Sequence, residues 1–251
     1  MNNISAVIIT HNEERNIARC IESLQGVADE IIVVDSGSTD RTQLICAQHK
    51  NLIFQFHPWE GYSAQKNHAN SLASNPWILS LDADEALSPT LRDSLLSWKA
   101  QHNSQPALYR FNRLTNYCGH WIHHCGWYPD PCTRLFPKDT VQWDGIVHEQ
   151  LTTPHPLPTI HLKGDLLHYS YYSVDEHAQR QLHYATLAAQ KAHDAGRTVT
   201  TLGVWLRPKW NFLRNYLLKG GFLDGYAGYT VCRMSAFYTF MKYSILKNIQ
   251  Q

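Results

Sequence analysis

The chain has 251 residues, of which 43% are apolar, enough to bury a core of ordinary size and to exclude a disordered tail. A formal net charge of only +1 argues against a nucleic-acid partner. The balance is uneven, however: from Thr201 onward seven basic residues (Arg207, Lys209, Arg214, Lys219, Arg233, Lys242, Lys247) stand against Asp224 alone. Such asymmetry suits an anionic membrane surface, and equally a solvated basic face.

Met1-Asn2-Asn3 leads straight into a strand-like run, so a cytoplasmic protein with six reduced cysteines is expected. The most apolar stretch, Phe222 to Leu246, is interrupted by Asp224, Arg233 and Lys242 and does not read as a membrane span.

Ile4 to Ile9 is apolar and rich in β-branched residues, and Ile17, Ala18, Ile21 and Leu24 then fall three or four apart. The pattern predicts a strand followed by an amphipathic helix. The alternation repeats, with strands over Glu30 to Val34, Leu52 to Phe56 and Trp77 to Leu81, and helices over Thr39 to His49 and Ser63 to Ala73. Parallel strands need crossover helices between them, so this order predicts an α/β, doubly wound sheet. In such sheets the ligand sits beyond the carboxyl ends of the strands.

A helix over Leu91 to Ala100 and a strand over Ala107 to Arg113 come next. Tyr117 to Pro131 is then rich in Gly, His, Trp, Cys and Pro without a period, and loops of that length usually bind something. Strands are expected around Thr133 to Phe136 and Thr159 to Tyr169. From Asp175 on the period is helical, with breaks expected at Gly196, Pro208 and Gly220-Gly221. Residues 1–174 therefore read as one α/β domain and 175–251 as a basic, aromatic-rich helical region.

The strand ends carry the chemistry. The first ends in Thr10-His11-Asn12-Glu13-Glu14, the second in Asp35-Ser36-Gly37-Ser38-Thr39-Asp40, and the fourth in Asp82-Ala83-Asp84-Glu85. Singly these are ordinary caps and turns. Together they crowd carboxylates onto one sheet edge, where like charges repel unless a cation or hydrogen-bond donors offset them. Two Asp residues one apart at a strand terminus suit a divalent ion held against a diphosphate. Glycine-rich phosphate signatures are absent, which leaves the neutralising task to a metal.

Val7 to Glu13, Ile31 to Asp40 and Leu81 to Asp84 resemble, in composition, order and spacing, the N-terminal signatures of family-two glycosyltransferases of the GT-A fold. The remainder more loosely resembles the lipopolysaccharide-core β-glucosyltransferase group. The resemblance implies a GT-A Rossmann-like, mostly parallel sheet with a helical C-terminal extension. It also implies a nucleoside diphosphate sugar donor, a divalent metal (Mg or Mn) and a glycan or glycolipid acceptor.

Carried over by position, it sets Thr10, Asn12 and Glu13 near the ribose and base, and Asp35 on the uracil ring. Asp82 and Asp84 become the metal motif, with Asp84 the direct ligand and His168 completing the shell. Lys66 and Asn67 face the nucleotide sugar, although a solvated helical lysine is an equal reading of Lys66. Thr133-Arg134-Leu135-Phe136 and Gly145-Ile146-Val147-His148-Glu149 resemble the acceptor-side segment, which makes Arg134 an acceptor contact. An inverting transfer needs a base for the acceptor hydroxyl, assigned to Glu149 with Asp144 as runner-up. The Gln-x-x-Arg-Trp string of processive relatives is missing at Gln179 to His183, so single-sugar addition is expected.

Trp121, Trp127 and Tyr128 suit stacking on a sugar ring, and equally core packing. Cys118, Cys125 and Cys132, seven apart, fit a structural zinc site poorly. The aromatics among the C-terminal basic residues suit a membrane surface; a homodimer contact or packing against the sheet explains them as well. Two other classes compete at this stage: a nucleotide-sugar binding protein without catalysis, and a nucleotidyltransferase. The latter normally needs a glycine-rich basic loop that Thr10 to Arg19 lacks.

Overall fold

The computed structural model describes residues 2–50, 52–101, 106–145 and 150–250. The chain begins β1 (Ile4–Thr10), α1 (Ile17–Ser23), β2 (Glu30–Asp35), α2 (Thr42–Cys46), β3 (Leu52–Phe56), α3 (Tyr62–Leu72) and β4 (Trp77–Asp82), the alternation expected from the sequence. It continues with β5 (Glu85–Leu87), α4 (Pro89–Ala100), β6 (Leu108–Tyr117), β7 (His120–Ile122), β8 (Pro131–Pro137), β9 (Gln142–Asp144), β10 (Gln150–Thr152) and β11 (Thr159–Tyr171). Three helices complete it: α5 (Val174–Asp194), α6 (Thr201–Leu213) and α7 (Gly225–Ile249).

The main sheet runs β3-β2-β1-β4-β8-β6-β11-β5, with β7 paired to β6. β3, β2, β1 and β4 are parallel. From β8 on the pairings β4–β8, β8–β6 and β5–β11 are antiparallel. The fold class is the α/β one expected, and its parallel character belongs to the first four strands in the chain. Crossover helices link those strands; where such helices are missing, a returning strand comes back antiparallel.

The chain divides into two compact units, the first comprising residues 1–113 and 130–168, the second 114–129 and 169–251. In the first unit β1 is buried at every position because both its faces are covered. Its side chains alternate: Ile4, Ala6 and Ile8 join one core with Ile17, Ile21 and Leu91, whereas Val7 and Ile9 join another with Phe136 and Trp143. Ser88 starts α4 by accepting a hydrogen bond from the Leu91 amide at 3.2 Å, with Pro89 at the first helical position.

In the second unit Tyr117, Ile122, Cys125, Val231 and Cys232 form one core, and Ala189, Val199, Val204 and Leu246 another. Gly196 and Gly220 take positive φ and end helical segments as expected. Pro208 does not: α6 runs through it, then loosens into a π turn at Arg214–Leu218. The proline is buried, and packing of its ring offsets the hydrogen bond that its missing N–H forfeits.

Candidate active site

The parallel register sets the site. Thr10 lies opposite Asp35, and Ile9 opposite Asp82, so β1, β2 and β4 finish at one edge with Asp35 and Asp82 two strands apart, a backbone separation of about 10 Å. Asp35 is buried, and its carboxylate accepts from the amides of Gly37 and Ser38, both at 2.8 Å, which folds the loop after β2 back on itself. Asn12, at φ +55°, ties this loop to the one after β1: its amide donates to Ser38 Oγ, and the Thr39 amide donates to its Oδ1, both at 2.8 Å. Glu13 Oε2 accepts from Asn16 at 2.8 Å. The buried Thr10 Oγ1, at the same edge, has no hydrogen-bond partner among the described residues. A buried hydroxyl left unmatched is costly, and a ligand reaching this rim would satisfy it.

Next to the rim lies a packed set of charges. Lys66, projected from α3, is only 5% exposed, with its ammonium 3.2 Å from Asp82 Oδ1 and 4.7 Å from the centre of the Trp143 ring. This excludes the solvated-lysine reading. Arg134, expected on the acceptor side, is buried instead and donates from Nη2 to Asp82 at 2.7 Å and to Glu85 at 2.6 Å. Glu85 is fully buried and also accepts from the Asp82 amide at 2.9 Å. Arg113 lies 4.0 Å from Glu85 and 2.7 Å from Asp130.

Desolvation opposes charge on Asp82, but Arg134 and Lys66 outweigh it and hold its carboxyl far below the usual range. At Glu85 burial wins over the attraction of Arg134, and the carboxyl is raised. Two neighbouring carboxylates are thus driven apart in acidity by their surroundings.

Asp84 follows in the turn after β4. The β5–β11 register sets His168 opposite Glu85, and His168 Nε2 comes within 3.2 Å of Asp84 Oδ2. Among the described residues no three His, Cys, Asp or Glu side chains gather into a protein-only metal cage. The expected trio of Asp82, Asp84 and His168 is reduced here to Asp84 and His168, because Lys66 and Arg134 engage Asp82. A carboxylate and an imidazole so close nevertheless fit a hard divalent ion. Two ligands of an octahedral ion with bonds of about 2.1 Å stand roughly 3 Å apart, and such ions commonly complete their shell with water and substrate phosphate.

Asn67 donates from Nδ2 to the Trp143 carbonyl at 2.8 Å and accepts from the Trp143 amide at 2.9 Å, a two-point clamp on β9. Ser63, on the same helix, donates to the Gly145 carbonyl at 2.6 Å. Asp144 is exposed at the end of β9, its carboxylate accepting from the Gly145 amide. Glu149, the expected base, lies outside the described residues, as do Ile146 to His148. β9 and β10 pair antiparallel on either side of that stretch, with Asp144 opposite Gln150.

In the second unit Trp121 packs edge-on against Tyr169, Trp127 sits among Tyr117, Tyr171 and His177, and Tyr128 meets His123. The site residues that sequence reasoning missed are Glu85 and Gln65. Gln65 is fully buried and bridges His57 Nδ1 at 2.9 Å to Ser36 Oγ at 3.3 Å. Glu85 directly follows the Asp82-Ala83-Asp84 motif, and Gln65 directly precedes Lys66 and Asn67 in the same polar helix start; both neighbourhoods were usable signals.

An acidic rim at the carboxyl ends of parallel strands, with a carboxylate and imidazole pair beside it, occupies the place where α/β sheets bind their ligands. Residues 5–142 match the profile described as Glycosyl transferase family 2, and the chain belongs to that family of glycosyltransferases. It is 30% identical to the lipopolysaccharide core biosynthesis glycosyltransferase LpsC of Rhizobium meliloti, over 95% of this chain and 89% of that protein. It is also 30% identical to an uncharacterized glycosyltransferase of Rickettsia typhi, over 99% of this chain and 88% of its relative. Among solved structures it is similar to Staphylococcus aureus TarS 1–349, at 15% identity and a TM-score of 0.49, covering 99% of this chain and 92% of that one.

Proposed function

We propose that this glycosyltransferase is inverting, metal-dependent and non-processive, and that it moves a hexose, glucose from UDP-glucose in our reading, to a lipopolysaccharide inner-core or other cell-envelope glycan or glycolipid. The observation that carries the reading is the in-register gathering of Thr10, Asp35 and Asp82 at one sheet edge, with Asp84 and His168 beside them. The family and the LpsC relative support the donor and acceptor classes.

Asp84 and His168 would hold Mg or Mn, which supplies positive charge against the departing diphosphate. Asp35, with the loop hydrogen bonds that fix it, orients the uracil, and the unmatched Thr10 hydroxyl and Glu13 meet the ribose side. Arg134 and Lys66 keep Asp82 ionised, and Lys66 adds its own charge near the diphosphate. Asn67 positions β9 through both backbone groups of Trp143. Glu149 takes the proton from the acceptor hydroxyl as that oxygen attacks the anomeric carbon, and the carbon–oxygen bond to UDP breaks on the opposite face. The partly exposed rings of Trp121, Trp127 and Tyr128 suit the apolar face of a pyranose.

The test is UDP release and binding by two variants. Asp84→Ala is expected to lower turnover at least about a thousandfold through lost charge stabilisation. Glu149→Gln is expected to bind UDP-glucose nearly as wild type does while transfer stops. Full activity in Glu149→Gln sinks the assignment of the base, and full activity in Asp84→Ala sinks the metal site.

A further inference from the structure

α6 is amphipathic in the wrong sense for a helix that serves only the core of its own unit. Its buried positions, Val204 and Pro208, share one side with the buried Asn215 that follows. Leu202, Trp205, Leu206, Trp210, Leu213 and Leu217 take the opposite side, and each is roughly half or more exposed. At 100° per residue they form one stripe, continued from the α-helix into the π turn. Lys209 lies within the stripe, and Arg207 and Arg214 flank it, all exposed.

The acidic residue of the segment is turned away from this face. Asp224, the single carboxylate among residues 201–251, is 5% exposed in its side chain and binds His124, accepting from its amide at 2.8 Å and lying 2.8 Å from its Nδ1. The exposed face is therefore apolar and cationic, without a carboxylate of the segment to offset it.

We propose that the outward face of α6 rests on an anionic phospholipid surface, with Trp205, Trp210 and the leucines in the headgroup boundary and Arg207, Lys209 and Arg214 against lipid phosphates. Aromatic and leucine side chains on one face with basic residues at its edge are the chemistry of an interfacial helix. No helix among the described residues is long and apolar enough to cross a membrane, so this contact lies on the surface and does not span it. A second copy of the chain fits less well, since a twofold contact through this face brings like charges together. The inference does not rest on the donor or acceptor assignment.

The full chain is sedimented with phosphatidylcholine vesicles that contain or lack about one third phosphatidylglycerol, at low and high salt. Binding is expected to require the anionic lipid and to fall by about tenfold or more at high salt. Trp205→Ser with Trp210→Ser is expected to weaken it by at least about tenfold through lost apolar contact, and Lys209→Glu by several-fold. Circular dichroism and UDP release onto a soluble acceptor are expected to stay unchanged in these variants. Equal binding to neutral vesicles, or full binding by the double tryptophan variant, overturns the proposal. So does absence of vesicle binding together with a concentration-dependent dimer that the double variant abolishes, which would give the face to a second copy. A chain that binds vesicles but releases no UDP contradicts the proposed reaction and leaves this surface standing.

Discussion

Arg134 holds two buried or half-buried carboxylates with a single nitrogen, and the arrangement has a measurable consequence. Replacement by Met leaves Glu85 buried without its cation, whereas Asp82 keeps Lys66. Breaking a buried pair from one side costs about 3–5 kcal/mol. Arg134→Met is accordingly expected to lose about 3 kcal/mol at pH 7 in urea unfolding. The loss should shrink as pH falls, because the raised carboxyl of Glu85 takes up a proton and the bare charge disappears. A penalty that is absent, or that grows on acidification, contradicts this account. The same residue shows what a motif conveys: Thr133-Arg134-Leu135-Phe136 marked an important arginine, but whether it faced a ligand or a carboxylate depended on the strand paired with it. The carboxylates of Asp35, Asp82 and Asp84 were legible because runs of apolar residues point to strand ends, whereas Gln65 and Glu85 gained their roles from neighbours distant in the chain.

Among the elements, the approach of β11 to α4 tolerates no added atom at one position. Gly164, in β11, has φ +104°, and a methyl group there would stand 2.3 Å from the Leu91 amide nitrogen at the start of α4. Backbone cannot yield as a flexible side chain does, so Gly164→Ala is expected to cost about 3 kcal/mol or more. That corresponds to a Tm lower by roughly 6–12 °C for a chain of this size. Gly61→Ala is the control: φ is +105° and ψ 162° but nothing lies within 4 Å, so only conformational strain remains, about 1–3 kcal/mol. Equal Tm shifts in the two variants would show that the close approach of β11 to α4 is not what selects glycine. The period of apolar residues foretold the parallel strands and their helices. The short strands β5, β7, β9 and β10 escaped it, because three residues carry too little pattern to establish a period.

At the scale of the whole molecule, stability is expected to depend on acidity through a buried histidine. His177 is fully buried in the second unit, with Nδ1 3.1 Å from the Tyr117 hydroxyl and Nε2 3.0 Å from Gln181. Burial, aided by Arg180, lowers its pKa from 6.5 to about 4. The unfolded chain therefore binds this proton more readily than the folded one. The contribution of neutral His177 is complete above pH 6.5 and is lost as pH falls toward 4; at pH 5 the loss is about 2 kcal/mol. Urea midpoints between pH 7.5 and 4.5 should show this slope, and His177→Gln should flatten it by about that amount. An unchanged slope in the variant would assign the acid sensitivity to other groups.

The sequence alone determined the α/β class, the order of the first seven elements, the acidic strand ends and, through their resemblance, the family. These follow from local periodicity and short motifs, which neighbouring residues encode together. Tertiary structure decided what each charge does: that Lys66 is buried against Asp82, that Arg134 serves two carboxylates, that His168 meets Asp84 and that α6 turns its apolar stripe outward. Those outcomes depend on strand register and helix facing, set by the packing of segments far apart in the chain, and no local pattern records them.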